Sequence, residues 1–155
     1  MARWSHERPR RRDGFPRDRR PPAALFDLIA DPAEQPRWDG NDNLAGAEPG
    51  QRVRAVGDVF VMTNQGGGVR DNHVVAFVES REIAWRPAPR GEQPAGHQWG
   101  WVLEPLEDGR TLVTHVYDFS DLPASQEARL AKARQMTPEK LMASIDRLAE
   151  LAEGA

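Results

Sequence analysis

Residues 96–120 read GHQWGWVLEPLEDGRTLVTHVYDFS, and His97, Trp99, Trp101, His115, Tyr117 and Phe119 all fall at odd positions within that window. With His73 upstream, an imidazole here can move a proton near neutral pH, while Tyr117 or Asp118 can orient it or polarise a carbonyl. The candidate acid–base residues are therefore His73, His115 and Tyr117. Other chemistries find less support. No Ser or Cys elbow offers a nucleophile. The histidines stand at no metal-ligand spacing with a supporting carboxylate, and the chain has no cysteine to assist them, so neither a metal nor a cofactor is expected. Gly66-Gly67-Gly68 lacks the Lys-Ser/Thr of a phosphate loop and reads as a hairpin tip.

These side chains must be carried by strands, because only a period of two sends alternate residues to one face. Strand-like runs cover roughly Leu44–Ala47, Gln51–Thr63, Val69–Glu79, Glu82–Arg86, His97–Glu104 and Thr111–Phe119. Asn64–Gly68 and Glu107-Asp108-Gly109 supply hairpin loops, and Pro87, Pro89 and Pro94 bracket a longer loop. Short links between consecutive strands imply an antiparallel meander. A helix is expected over PPAALFDLIA, stopped by Pro32, and a short helix or turn in AEQPRWDGN carries Trp38. Ala124–Arg134 reads as a shorter helix or lid-like connector started by Ser125. The chain ends in a helix capped by Thr137, with Pro138 first and an apolar stripe of Leu141, Ile145, Leu148 and Ala152. A sheet with one apolar face and a helix with one apolar stripe cover each other, which predicts an α+β domain over residues 21–155.

At 155 residues the chain is long enough for one domain with a real core. The absence of cysteine points to a reducing cytoplasm, and no apolar run is long enough to span a membrane. Charge is unevenly spread: residues 1–20 hold eight Arg against three acids, whereas the rest holds 13 basic against 21 acidic side chains. A basic tail on an acidic body offers no continuous basic face, so nucleic acid is not an expected partner. The tail is Arg/Pro-rich without periodicity and reads as a disordered segment.

The stretches PPAALFDLIADPAEQPRWDG, VVAFVESREIAWRP, WGWVLEPLEDGRTLVTHVYDFS and MTPEKLMASIDRLAELAEG, in this order, resemble the START-like (helix-grip, SRPBCC) superfamily, in its polyketide cyclase/dehydrase branch. The resemblance implies a curved antiparallel sheet wrapped around a long C-terminal helix, with a cavity between them. It also implies a first β-strand ahead of the first helix. That slot reads RRRDGFPRDRR, with no alternation, so the first strand is expected to be missing or disordered.

In such an arrangement His97, Trp99, Trp101 and Leu103 share one face, as do Val113, His115, Tyr117 and Phe119. His73, Val75 and Phe77 are in step upstream, followed by Ile83 and Trp85. Assigned to the concave side, these rows make Trp38, His73, Val75, Phe77, Trp85, His97, Trp99, Trp101, His115 and Tyr117 the candidate ligand-binding residues. The aromatics alone would suit a packed core. Three imidazoles and a phenol need hydrogen-bond partners when buried, which favours a partly hydrated pocket. The expected function is binding of a hydrophobic or aromatic small molecule by a monomer or homodimer. The resemblance adds cyclase- or dehydratase-type acid–base chemistry as an option. It also offers an alternative, a protein-interaction module like the superfamily's chaperone activators, which exposed apolar surface beside the pocket would favour.

Overall fold

The computed structural model describes residues 10–13 and 21–153. In chain order the elements are β1 (Arg10–Asp13), α1 (Pro21–Ala30), a 3-10 turn (Pro32–Glu34), α2 (Gln35–Trp38), β2 (Leu44–Gly46), β3 (Val59–Asn64), β4 (Val69–Val78), β5 (Glu82–Pro89), β6 (Gln98–Pro105), β7 (Thr111–Asp118), α3 (Glu127–Ala133) and α4 (Pro138–Glu153). The strands form one antiparallel sheet in the order β1-β7-β6-β5-β4-β3-β2. This is the helix-grip α+β architecture, a curled sheet closed on its concave side by α4.

The slot that reads as lacking a first strand does supply one of four residues, with Arg10 opposite Thr114 and Asp13 opposite Thr111. Main-chain pairing along an open edge needs no alternation of side chains, and β7 offers such an edge. The rest of the N-terminal stretch expected to be disordered lies outside the described residues.

Two other strand limits differ from expectation. Residues 51–58 are irregular rather than part of β3. Asp58 accepts from the Arg54 and Ala55 backbone N–H groups (2.9 and 3.2 Å) and folds that segment into a turn. The Gln51 side chain instead clips the β3 edge, donating to the Val61 carbonyl (3.1 Å) and accepting from the Val61 N–H (2.7 Å). Strand β5 runs on to Pro89, through prolines expected in a loop. Beyond Trp85 it pairs only with β4, so those prolines leave no ladder bond unmade toward β6. Helix α3 begins at Glu127 rather than Ser125, with no side-chain cap.

Two apolar clusters hold the layers together. The larger joins Leu25, Phe26 and Ile29 of α1 to Ile83, Trp101, Leu103 and Val113 of the sheet and to Ile145 and Leu148 of α4. The smaller places Tyr117, Phe119 and Leu122 against Leu130 of α3 and Leu141 of α4. Full burial of each such Leu or Ile contributes roughly 1.5–3 kcal/mol. The stripe on α4 is the expected one, and Thr137 caps that helix by accepting from Lys140 N–H at 3.3 Å. Replacing the cap, Thr137→Ala, is expected to cost about 1 kcal/mol, read as a lowering of Tm by a few degrees.

Candidate functional site

The sheet register builds an aromatic floor. Trp85 lies opposite Val74 on one side and Trp99 on the other, and Trp99 lies opposite Tyr117. Cross-strand partners share a face, so Trp85, Trp99 and Tyr117 make one row on the concave side. The next row is Phe77, Ile83, Trp101 and His115. Trp99 and Tyr117 rings are 4.3 Å apart, and the His115 ring sits 3.7 Å from Trp101 and 5.8 Å from Trp99.

Above that floor lies a cavity of about 320 Å³, within the range of small-molecule sites. Trp85, Trp99, His115 and Tyr117 line its floor, with Met62, Arg70 and Asn72 from β3 and β4. The opposite wall is Trp38 of α2 and Asp39 just after it, Arg129, Lys132 and Ala133 of α3, and Lys140 and Ser144 of α4. Trp99 packs against both apolar clusters, and the lining draws on both.

Local chemistry fixes the walls. Trp38 does two things here. Its indole N–H donates to the Leu28 carbonyl (2.8 Å), stapling the turn; the ring meets Trp101 edge-on at 5.3 Å and also lines the cavity. The Asp39 carboxylate accepts from the backbone of Asn41 (3.1 Å) and Asn43 (2.9 Å). Gly40 N–H donates to Ser144 Oγ (2.8 Å), and Arg147 reaches the Asp39 carbonyl (2.6 Å), bolting this loop to α4. His97 is aimed by Gly96, whose φ of +132° and 2.5 Å gap from a built Cβ to the Asp121 carbonyl admit no larger residue.

Six of the ten candidate binding residues line the cavity: Trp38, Trp85, His97, Trp99, His115 and Tyr117. Trp101 is fully buried in the core, and Phe77 packs edge-on to Phe26 at 5.6 Å. His73 and Val75 require correction. A bulge between Val74 and Ala76 breaks the alternation of β4, so Asn72, Val74 and Phe77 face inward. His73 stands on the outer face, paired with Val59 and Arg86, and Val75 is 41 % exposed. His73 therefore does not line the cavity.

Sequence reasoning missed the polar half of the lining. Arg70 and Asn72 were hidden by the wrong parity assigned to β4. Arg129 and Lys132 were legible as an i, i+3 pair on the lid-like connector, a spacing that puts both on one helix face. Asp27, Asp31 and Asp42, carboxylates with no assigned role, pair with Arg52, cap the 3-10 turn and pair with Arg147 respectively.

The polar groups on the floor are held far from their ordinary titration ranges. His115 is 3 % exposed; burial lowers its pKa to about 3, opposed by a hydrogen bond with the Gly100 backbone. His97 is lowered to about 4, first by burial and then by the charges of Arg129, Arg70, Lys132 and Arg86. Burial raises Tyr117 to about 12. Both imidazoles are therefore neutral at pH 7, and Nδ1 of each is buried without a hydrogen-bond partner among the described residues.

This arrangement has relatives. A START superfamily protein of Mycobacterium smegmatis superposes with a TM-score of 0.59 at 16% identity, over 98% of this chain and 97% of that one. The Aha1 dimer protein of Colwellia psychrerythraea gives 0.59 at 18% identity, over 99% and 97%. Likeness at that identity speaks for the fold alone. An uncharacterised protein of Mycobacterium tuberculosis is 28% identical over 102 residues, 64% of this chain and 43% of its own length. The chain thus spans less than half of that curated relative. The family described as polyketide cyclase / dehydrase and lipid transport matches residues 18–153, from before α1 to the end of α4. With that match extending over nearly the whole fold, the chain belongs to the polyketide cyclase/dehydrase and lipid-transport family, within the START-like superfamily.

Proposed function

We propose that the chain binds a hydrophobic or aromatic small molecule in the cavity between its sheet and α4. The observation that carries this reading is the floor itself: a row of Trp85, Trp99 and Tyr117 beneath about 320 Å³ of space. An aromatic surface of that kind suits an apolar or aromatic guest. The buried nitrogens of His97 and His115 supply the few placed polar contacts that orient one.

The same groups support binding rather than proton transfer. An efficient general acid or base has a pKa near the working pH. His115 at about 3 and Tyr117 at about 12 are displaced in opposite directions, so either must cross several units to exchange a proton at pH 7.

N-phenyl-1-naphthylamine, a neutral aromatic probe, is expected to bind saturably, quench the tryptophans and raise Tm. At a hundredfold excess over Kd the stabilisation is about 2.7 kcal/mol. Ala133→Phe, which puts a ring at a buried position on the cavity wall, is expected to weaken the probe roughly tenfold, with overpacking that costs about 1–3 kcal/mol and lowers Tm. No saturable change in emission and no shift in Tm would sink the reading. The protein-contact alternative has support of its own in the exposed Val56, Val59, Val75 and Val78, none of which lines the cavity. The probe separates the two, since a contact surface yields no signal that Ala133→Phe blocks.

A further inference from the structure

We propose that the ligand of this cavity is an aromatic carboxylate, its ring on the Trp85–Trp99–Tyr117 floor and its anionic group between Arg70 and the Arg129–Lys132 face of α3. The inference rests on the cavity reading above and adds the chemical class of the guest.

Arg70, Arg129, Lys132 and Lys140 all line the cavity, against the single carboxylate of Asp39. Asp39 already accepts two backbone N–H groups. None of the four cations forms an ion pair among the described residues, although Arg37, Arg52, Arg86, Arg90, Arg110 and Arg147 each do. Over residues 21–155 the chain has 13 basic and 21 acidic side chains, so carboxylates are plentiful and yet Asp39 alone stands among these lining residues. Cations without an ion-pair partner, converging from one strand and two helices on one cavity, form a surface complementary to an anion.

A second observation is independent of those cations. His115 is 97 % buried, lines the cavity, and has no partner for Nδ1 among the described residues; Nδ1 of His97 is in the same condition. A buried polar atom without a partner costs free energy unless a guest satisfies it; the neutral His97 ring can carry its N–H on Nδ1 and donate to a carboxylate, whereas His115, already hydrogen-bonded to the Gly100 backbone, offers Nδ1 as an acceptor to a donor elsewhere on the guest. The cations and His97 also share one region, because Arg129, Arg70 and Lys132 all disfavour a proton on that ring. A carboxylate placed there meets Arg and Lys donors in charge-assisted bonds, and a planar aromatic acid presents its ring to the tryptophans at the same time.

The test compares 2-naphthoate with its neutral isostere 2-naphthamide, by displacement of N-phenyl-1-naphthylamine. The expected result is roughly tenfold tighter binding of naphthoate at low ionic strength, a margin that narrows as salt is added. In Arg129→Gln/Lys132→Gln that margin is expected to shrink to about twofold or less, any change in the cavity wall acting on naphthoate and naphthamide alike and so dropping out of their ratio. Naphthamide binding as tightly as naphthoate in the unaltered protein overturns the proposal and leaves the cavity reading standing, provided the neutral probe still binds. A preference that survives both the double variant and Arg70→Gln overturns it as well. Failure of all three compounds to bind overturns both readings.

Discussion

Acidification from pH 6.5 to pH 4 is expected to remove roughly 5 kcal/mol of stability, most of it through His115 and His97. In the unfolded chain both rings take up a proton near the ordinary value of 6.5, whereas in the fold they resist it until about 3 and about 4. The unfolded state therefore binds more protons throughout that window, and stability falls as pH falls through it. The slope is half its maximum at pH 6.5 and is gone above about 7.5, where the unfolded rings are deprotonated too. Each ring contributes up to about 1.4 kcal/mol per pH unit inside the window. Asp42 and Asp108, held below the usual carboxylate range by Arg147 and Arg110, steepen the acid end of the same curve. Urea unfolding across pH separates the contributions: His115→Gln should remove about half of the slope between pH 6 and 4, and His97→Gln most of the rest. A stability curve flat over that range, or one unchanged by His115→Gln, would mean that the imidazoles are not buried in the neutral form.

The second large effect is expected at Gly40. A Cβ built there lies 2.6 Å from the Lys140 carbonyl, 2.7 Å from Ser144 N and 2.8 Å from the Ala143 Cβ. Two of those atoms are helix backbone, so the contact is relieved only by moving α4 off the α2–β2 loop. Gly40→Ala is expected to cost about 3 kcal/mol in urea unfolding. It should also weaken the neutral probe, because Lys140 and Ser144 belong to the cavity wall that the shift displaces. Gly46→Ala is the control: a Cβ there meets nothing within 4 Å, and the change should stay within about 0.5 kcal/mol. Equal stability of the two variants would show that the α2–α4 seam is looser than its spacing implies.

The concave rows on β6 and β7 were legible because they depend on nothing but local alternation. His97, Trp99 and Trp101 on one strand, and His115 and Tyr117 on the next, keep a strict period of two, and the short Glu107–Gly109 turn brings them side by side. The stripe on α4 was legible for the equivalent reason at a period of 3.6. Parity failed on β4, where a single bulge residue between Val74 and Ala76 turned His73 and Val75 outward. No composition signal marks that bulge, since it arises from how β4 accommodates β5 along the curl of the sheet. The prolines of β5 misled for a related reason: whether Pro87 breaks a ladder depends on whether another strand pairs on that side.

Which aromatics are floor and which are core was likewise settled by packing across the chain. Trp99 and Trp101 are two residues apart and chemically identical, yet Trp99 faces the cavity while Trp101 is closed off by Trp38 and His115. The cationic wall is the clearest case. Arg70 and Lys132 are 62 positions apart in the chain, and nothing in either neighbourhood marks them as partners in one site. Periodicity and turn chemistry act over a few residues, so they were enough to specify a curled sheet gripped around a terminal helix. The volume of the cavity, its charge and the neutral state of its imidazoles depend on which distant atoms fill or leave the space between those elements, and that balance exists only once the chain is packed.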